Sequence, residues 1–212
     1  MERLARRRAA ELALVIGCGV GNLAFENVLH AKTAFTIAAA AVWTGYVAWR
    51  WREDPGVLRA WGLRLDNLAA AAKVALAITL PALIVCVAYA YAVGNFPPPP
   101  GFWIILLVYP IWGVAQQFLL NSVLTRDLDA VLPAWAATLL AAALFSLSHA
   151  PDLPVMALTL PAGAVWVLVY RRWPNLWALG IAHGVIGTAV FYGVLGRDPT
   201  ALLLGRGVPF PH

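Results

Sequence analysis

Charge is scarce in this sequence. Only 12% of its 212 residues are Asp, Glu, Lys or Arg, while 62% are hydrophobic. A soluble domain carries about twice that charge. The apolar residues fall in blocks of about 17–25 along the whole length, as in a chain that crosses a membrane several times. The blocks are too long and too continuously apolar for barrel strands. Helices remain, because they satisfy every backbone N–H and C=O within the segment. The expected fold class is therefore all-α, a polytopic transmembrane bundle.

Other absences narrow the reading. The two cysteines, Cys18 and Cys86, both sit in apolar blocks, which gives neither a disulfide framework nor zinc spacing. The net charge of +5 could suit nucleic acid. The arginines, however, gather beside the ends of apolar blocks, so topology accounts for them and no nucleic-acid partner is expected. The start, "MERLARRRAAELALVIGCGV", is basic and then apolar, like a signal peptide. It has no clear A-x-A site and runs almost at once into a second apolar block, so it reads as a retained first helix. No internal repeat, low-complexity tract or soluble domain is visible.

The pattern predicts seven helices, near 10–29, 34–50, 67–93, 102–124, 133–149, 154–170 and 176–195. An eighth is the upper bound, and "ALLLG" near the end is expected to be re-entrant or interfacial. The organisation read from this is 1–100 with helices one to three, 101–196 with helices four to seven, and a short tail, 197–212. Within the first part, residues 54–66 are expected to lie in the interface plane, with Leu58, Trp61 and Leu65 on one helical face. "GNFPPPPG", 94–101, reads as a stiff external connection.

Basic residues orient the bundle. With the N-terminus inside, Arg3, Arg6, Arg7, Arg8, Arg50, Arg52, Arg59, Arg64, Arg126, Arg171 and Arg172 are cytoplasmic, against Lys32, Arg197 and Arg206 outside. The asymmetry predicts a cytoplasmic N-terminus. The chain is expected in the lipid bilayer of a cytoplasmic (inner) bacterial membrane.

Polar side chains at membrane depth are costly, so they are where function is sought first. Gln116, Gln117 and Asn121 interrupt helix four. Gln117 and Asn121 are four apart and share a face, and Gln116 is rotated by about 100°. "FSLSH" places Phe145 and His149 four apart at the end of helix five. "ALGIAHGVIGT" places His183 in helix seven. The bland alternative is that such residues merely cross-link helices by hydrogen bonds. Ser146, Ser148 and Thr188 are read in that way, bonding their own helix carbonyls. No cofactor or metal is expected, since zinc needs three or four ligands and only two histidines lie at depth. Asp152 in "HAPDLP" is expected to cap helix six. A Ser-His-Asp triad lacks its nucleophile elbow. Glu26, beside Asn22, Asn27 and His30, reads as the polar outer end of helix one, with a carboxylate contribution to the polar site as the alternative.

The order and spacing of these residues resemble the CPBP family, the CAAX proteases and bacteriocin-processing proteins, also called Abi or type II CAAX prenyl endopeptidases. Its motifs are E-E-x-x-x-R, then F-x-x-x-H on the next helix, then H-x-x-x-N or H-x-x-x-D two helices later. The matching stretches are "QQFLLN" at 116–121, "FSLSH" at 145–149 and "HGVIG" at 183–187, within about residues 100–195. The resemblance implies an intramembrane endopeptidase acting on a hydrophobic peptide or membrane protein. Its first Glu acts as general base on water, supported by the histidines and the Asn. Carried over, the candidate catalytic positions are Gln116, Gln117, Asn121, Phe145, His149 and His183, with Gly187 where the family has Asn or Asp. Only Phe145 and the histidines match strictly. A buried carboxylate can take a proton, but a carboxamide has no comparable basicity. Gln116 can hold a water or donate to an oxyanion, yet it cannot act as the usual glutamate. Two readings stay open. One is a protease with a replacement base, His149 or His183 first and Glu26 a distant second. The other is a non-proteolytic pseudoprotease that binds a peptide, lipid or membrane partner in the same cavity. A transporter-like cavity has less support, since no discontinuous helix pair is visible.

Overall fold

The computed structural model describes residues 2–200. The segment "ALLLG", 201–205, lies outside the described residues. The seven expected helices are present, and among the described residues no strand occurs. They are α1 (Glu2–Asn27), α2 (Lys32–Glu53), α4 (Leu68–Val93), α5 (Gly101–Gln117), α7 (Ala134–Leu147), α8 (Leu153–Arg172) and α9 (Leu176–Ala189). Short α3 (Val57–Ala60) and α6 (Arg126–Leu128) complete the set. Five helical stretches are long and apolar enough to cross a membrane: Glu2–Asn27, Leu68–Val93, Gly101–Leu128, Leu153–Arg172 and Leu176–Val194. Ala134–Leu147 is apolar but shorter. Large apolar side chains such as Ile84, Leu107 and Ile111 lie on the surface, as lipid-facing residues do. The chain is thus an all-α integral membrane bundle.

Two helices differ from the expected bounds. Helix α1 begins at Glu2 rather than near residue 10, because "ERLARRRAAE" is made of strong helix formers. Helix α5 does not stop near residue 124. It continues through a π-helical stretch, Phe118–Thr125, into α6, which ends at Leu128 and gives way to a turn before Pro133. A lengthening toward Arg126 and Asp129 is what "LTRDLDA", helix-compatible up to Pro133, leads one to expect.

The chain forms two compact units, and the division falls between Gln116 and Gln117. One unit holds the chain up to Arg64 together with Gln117–Pro174; the other holds Leu65–Gln116 together with the chain from Asn175 onward.

In the first unit, α7 and α8 form an antiparallel pair, and the π stretch packs against α1, α7 and α8. An aromatic cluster anchors the start of that stretch. Phe118 meets Trp61 edge-on at 5.2 Å and Trp43 at 6.0 Å, while Tyr46 stacks on Trp61 at 6.0 Å. Such pairs contribute about 0.5–1.5 kcal/mol each beyond area burial. The expected shared face of Leu58, Trp61 and Leu65 does not form. The helix there is a single turn, Trp61 is only 2% exposed, and Leu65 is 72% exposed. Trp61 turns inward because Phe118 and Tyr46 receive its ring and Ser122 Oγ donates to its carbonyl at 2.8 Å. Ser122 Oγ also meets Tyr170 Oη at 3.0 Å. Asp152 caps α8 as expected, accepting from Val155 N at 3.3 Å.

In the second unit, α4 packs on α9 and on the π turn that follows it, Val190–Val194. Asn175 is buried and caps α9, its Oδ1 accepting from Ala178 N at 3.0 Å while its Nδ2 donates to Asn67 Oδ1 at 2.9 Å. Asn67 stands just before α4 without a side-chain capping bond of its own, so the amide pair ties the starts of the two helices together while only Asn175 caps. Helices α5 and α9 touch backbone to backbone. A Cβ on Gly180 would overlap the Val114 backbone, one on Gly113 the Gly180 carbonyl, and one on Gly184 the Pro110 backbone. Small residues spaced four apart permit this approach in membrane helices.

Candidate functional site

The first-motif amides divide between the units. Gln117 and Asn121 belong to the first, where both are fully buried. Asn121 Nδ2 donates to Gln117 Oε1 at 2.6 Å, so the shared face read from their spacing is real. Where the motif calls for a Glu and an Arg, this chain has a neutral amide pair. Such a pair keeps the hydrogen bond of an acid–guanidinium contact and removes both charges. The second acceptor of this group, Asn121 Oδ1, is buried without a partner among the described residues. An unpaired buried acceptor costs about 1–3 kcal/mol. The π geometry begins one residue after Gln117 and carries Asn121. Single π turns within α-helices often mark functional sites.

Phe145 and His149 lie in the same unit. Phe145 is buried on α7, and its ring meets the His149 ring edge-on at 5.2 Å. His149 sits in the turn beyond Leu147, the last residue of α7. Its Nδ1 is 2.9 Å from the Phe145 carbonyl oxygen. A carbonyl only accepts, so Nδ1 carries the proton in the neutral ring and Nε2 keeps its lone pair. Burial holds the His149 pKa below the usual histidine value. The bond to the Phe145 carbonyl opposes that shift, Lys32 reinforces it and Asp152 opposes it. The imidazole is therefore neutral near pH 7. Ser148 Oγ bonds the Phe145 carbonyl at 2.7 Å, within its own helix as expected. Ser146 departs from that expectation: its Oγ donates to the Met156 carbonyl on α8 at 2.8 Å. Glu26 is ion-paired with Lys32 at 2.5 Å near the end of α1, which matches a polar helix end.

Gln116 and His183 belong to the second unit. Among the described residues, Gln116 Oε1 is buried without a partner. His183 lies on the glycine-lined α9, and the Tyr109 ring stands edge-on to it at 6.4 Å. Thr188 Oγ1 bonds the Gly184 carbonyl at 2.8 Å, as expected. At Gly187, where the third motif calls for Asn or Asp, a Cβ would lie 2.5 Å from Tyr109 Cε1. The aromatic ring fills the space of the missing amide. Tyr109 was not among the sequence candidates. Its signal was the glycine at 187, which leaves room for a large partner.

A further polar cluster in the first unit also escaped the sequence reading. Glu11 on α1 is 3% exposed and accepts from Tyr46 Oη and from the Arg126 guanidinium. Arg126 Nε donates to Asp127 Oδ1 at 2.8 Å, and Asp127 is 1% exposed. Two buried carboxylates thus share one guanidinium, which is how buried charge is tolerated. Among the described residues, no three His, Cys, Asp or Glu side chains are grouped to hold an ion.

Comparison with known proteins places the motif-bearing part of the chain. Residues 97–189 match the family model described as Type II CAAX prenyl endopeptidase Rce1-like. No curated protein and no solved structure matches. The match takes in all three motif stretches, so this part of the chain is similar to that family.

Proposed function

We propose that this integral membrane protein is an intramembrane endopeptidase of the CAAX-protease type in which a histidine, not a glutamate, activates water. The observation that carries the proposal is the 2.9 Å contact of His149 Nδ1 with the Phe145 carbonyl oxygen. The Nδ1 proton is held by the Phe145 carbonyl, so Nε2 is the basic atom of a neutral imidazole. In the proposed step Nε2 takes a proton from water as the water oxygen attacks the scissile carbonyl carbon. The imidazolium then returns that proton to the leaving amine, so each turnover restores the ring. The substrate class is a hydrophobic peptide or membrane protein, and the arginine distribution favours a cytoplasmic N-terminus.

One observation favours a second reading. The neutral bond between Asn121 and Gln117 keeps a buried network satisfied without ionisation, which suits a pseudoprotease that only binds its partner. Cleavage separates the two. The full chain in liposomes is mixed with a peptide that active relatives cut. Cleavage abolished by His149→Ala supports the protease. No cleavage by the wild type, with binding intact, supports the binder.

A further inference from the structure

The arginine-rich end of the first unit contains a pocket of about 100 Å³ that the proposed chemistry does not use. It is lined by Leu4, Arg7, Arg8, Glu11, Arg50 and Arg126. Four guanidiniums face three carboxylates. Glu53 accepts from Arg7 at 3.2 Å and from Arg50 at 2.9 Å, while Glu11 and Asp127 hold Arg126. Arg8 lines the same pocket and has no ion pair among the described residues. The Arg50 side chain is only 11% exposed, and its Nε is buried without a partner. One positive charge and one buried donor are therefore uncompensated.

The depth of the pocket is marked by its neighbours. Trp49 and Trp51, which flank Arg50, are both about half exposed, and the Arg7 guanidinium lies 5.7 Å from the Trp49 ring centroid. Tryptophans of this kind sit at headgroup level. Leu4 is itself half exposed, and along α1 Ile16 and Val20 face outward, an apolar surface for acyl chains. Planar guanidiniums match phosphate oxygens as paired donors.

We propose that this pocket binds the phosphodiester of an anionic phospholipid, with Arg8 and Arg50 as its donors. A phosphodiester carries the single negative charge that the pocket lacks. A zwitterionic headgroup brings its own cation and balances nothing. Basic pockets among helices at the cytoplasmic side recognise lipid headgroups in this way.

The test uses the full chain in nanodiscs of phosphatidylcholine with a minor fraction of phosphatidylglycerol, followed by detergent exchange and mass spectrometry of the retained lipid. Wild type retains phosphatidylglycerol over phosphatidylcholine. Arg8→Gln lowers that preference about tenfold, the loss of one charge-assisted contact. Arg8→Lys keeps most of it, and Arg3→Gln, outside the pocket, leaves it unchanged. Because Arg8 is in no ion pair among the described residues, Arg8→Gln melts like the wild type, so a loss of lipid is not a loss of fold. Equal retention by wild type and Arg8→Gln, or equal retention of the two lipids, overturns the proposal. Full displacement of phosphatidylglycerol by millimolar inorganic phosphate also overturns it, assigning the pocket to the free ion.

Discussion

Replacing Glu11 with Ala should destabilise the first unit strongly, although Glu11 lies outside every motif. The change removes both acceptors of one buried carboxylate. Tyr46 Oη loses its partner, and Arg126 keeps only Asp127. Breaking a buried ion pair costs about 3–5 kcal/mol. The Arg126 side chain is 31% exposed, so water recovers part of its charge and the expected loss falls to about 2–3 kcal/mol. For a chain of this size 1 kcal/mol moves Tm by about 2–4 °C, so the melting point should drop by about 5–10 °C. Glu11→Gln retains an acceptor for Tyr46 and loses only the charge, so its drop should be roughly half as large. Thermal melts in detergent read by the fluorescence of the ten tryptophans measure both. A Glu11→Ala melt within about 1 °C of the wild type would refute the reasoning, as would a Gln variant less stable than the Ala variant.

Three further outcomes follow from packing and protonation. Gly187→Asn drives a side chain into the Tyr109 ring and should cost about 1–3 kcal/mol; adding Tyr109→Ala should recover much of the loss, and additive melts for the double variant would contradict the packing. Gly180→Val forces α9 off the Val114 backbone and should yield little folded protein on size exclusion, whereas Gly17→Val, in open space, should leave the yield unchanged. Stability should also fall with acid at His149. Burial lowers its folded pKa, so the unfolded chain binds the proton more tightly. The stabilisation is complete above the ordinary value of about 6.5 and is lost as pH falls through the folded value. His149→Gln should flatten that part of the pH–melting curve, and an unchanged curve would reject the assignment.

The seven helices were legible because hydrophobic length is a local property, and so was the Asp152 cap. The bond between Gln117 and Asn121 was legible from their spacing of four. The lengthened α5 followed from the helix-compatible run before Pro133. What escaped depends on partners remote in sequence. Glu11 meets Arg126 across 115 positions, and nothing near residue 11 announces it. Trp61 looked interfacial because its inward partners, Tyr46 and Phe118, come from other helices. Tyr109 was hidden for the same reason: its role is defined by the empty Cβ position at Gly187. The π stretch has no composition signal, since "FLLNSVLT" reads as ordinary apolar helix, and we have no physical account of why it winds in this way.

The identity of the base is tested most directly by the pH dependence of peptide cleavage, measured side by side for the wild type and Gln116→Glu in liposomes. With neutral His149 as base, wild-type kcat/KM is flat near pH 7 and falls as acid protonates a group titrating at or below about 6.5. Gln116→Glu should cut faster, because a second base is supplied at the position where the family has its own. A wild type that cleaves nothing at any pH, or whose acid limb survives His149→Ala unchanged, contradicts the histidine mechanism.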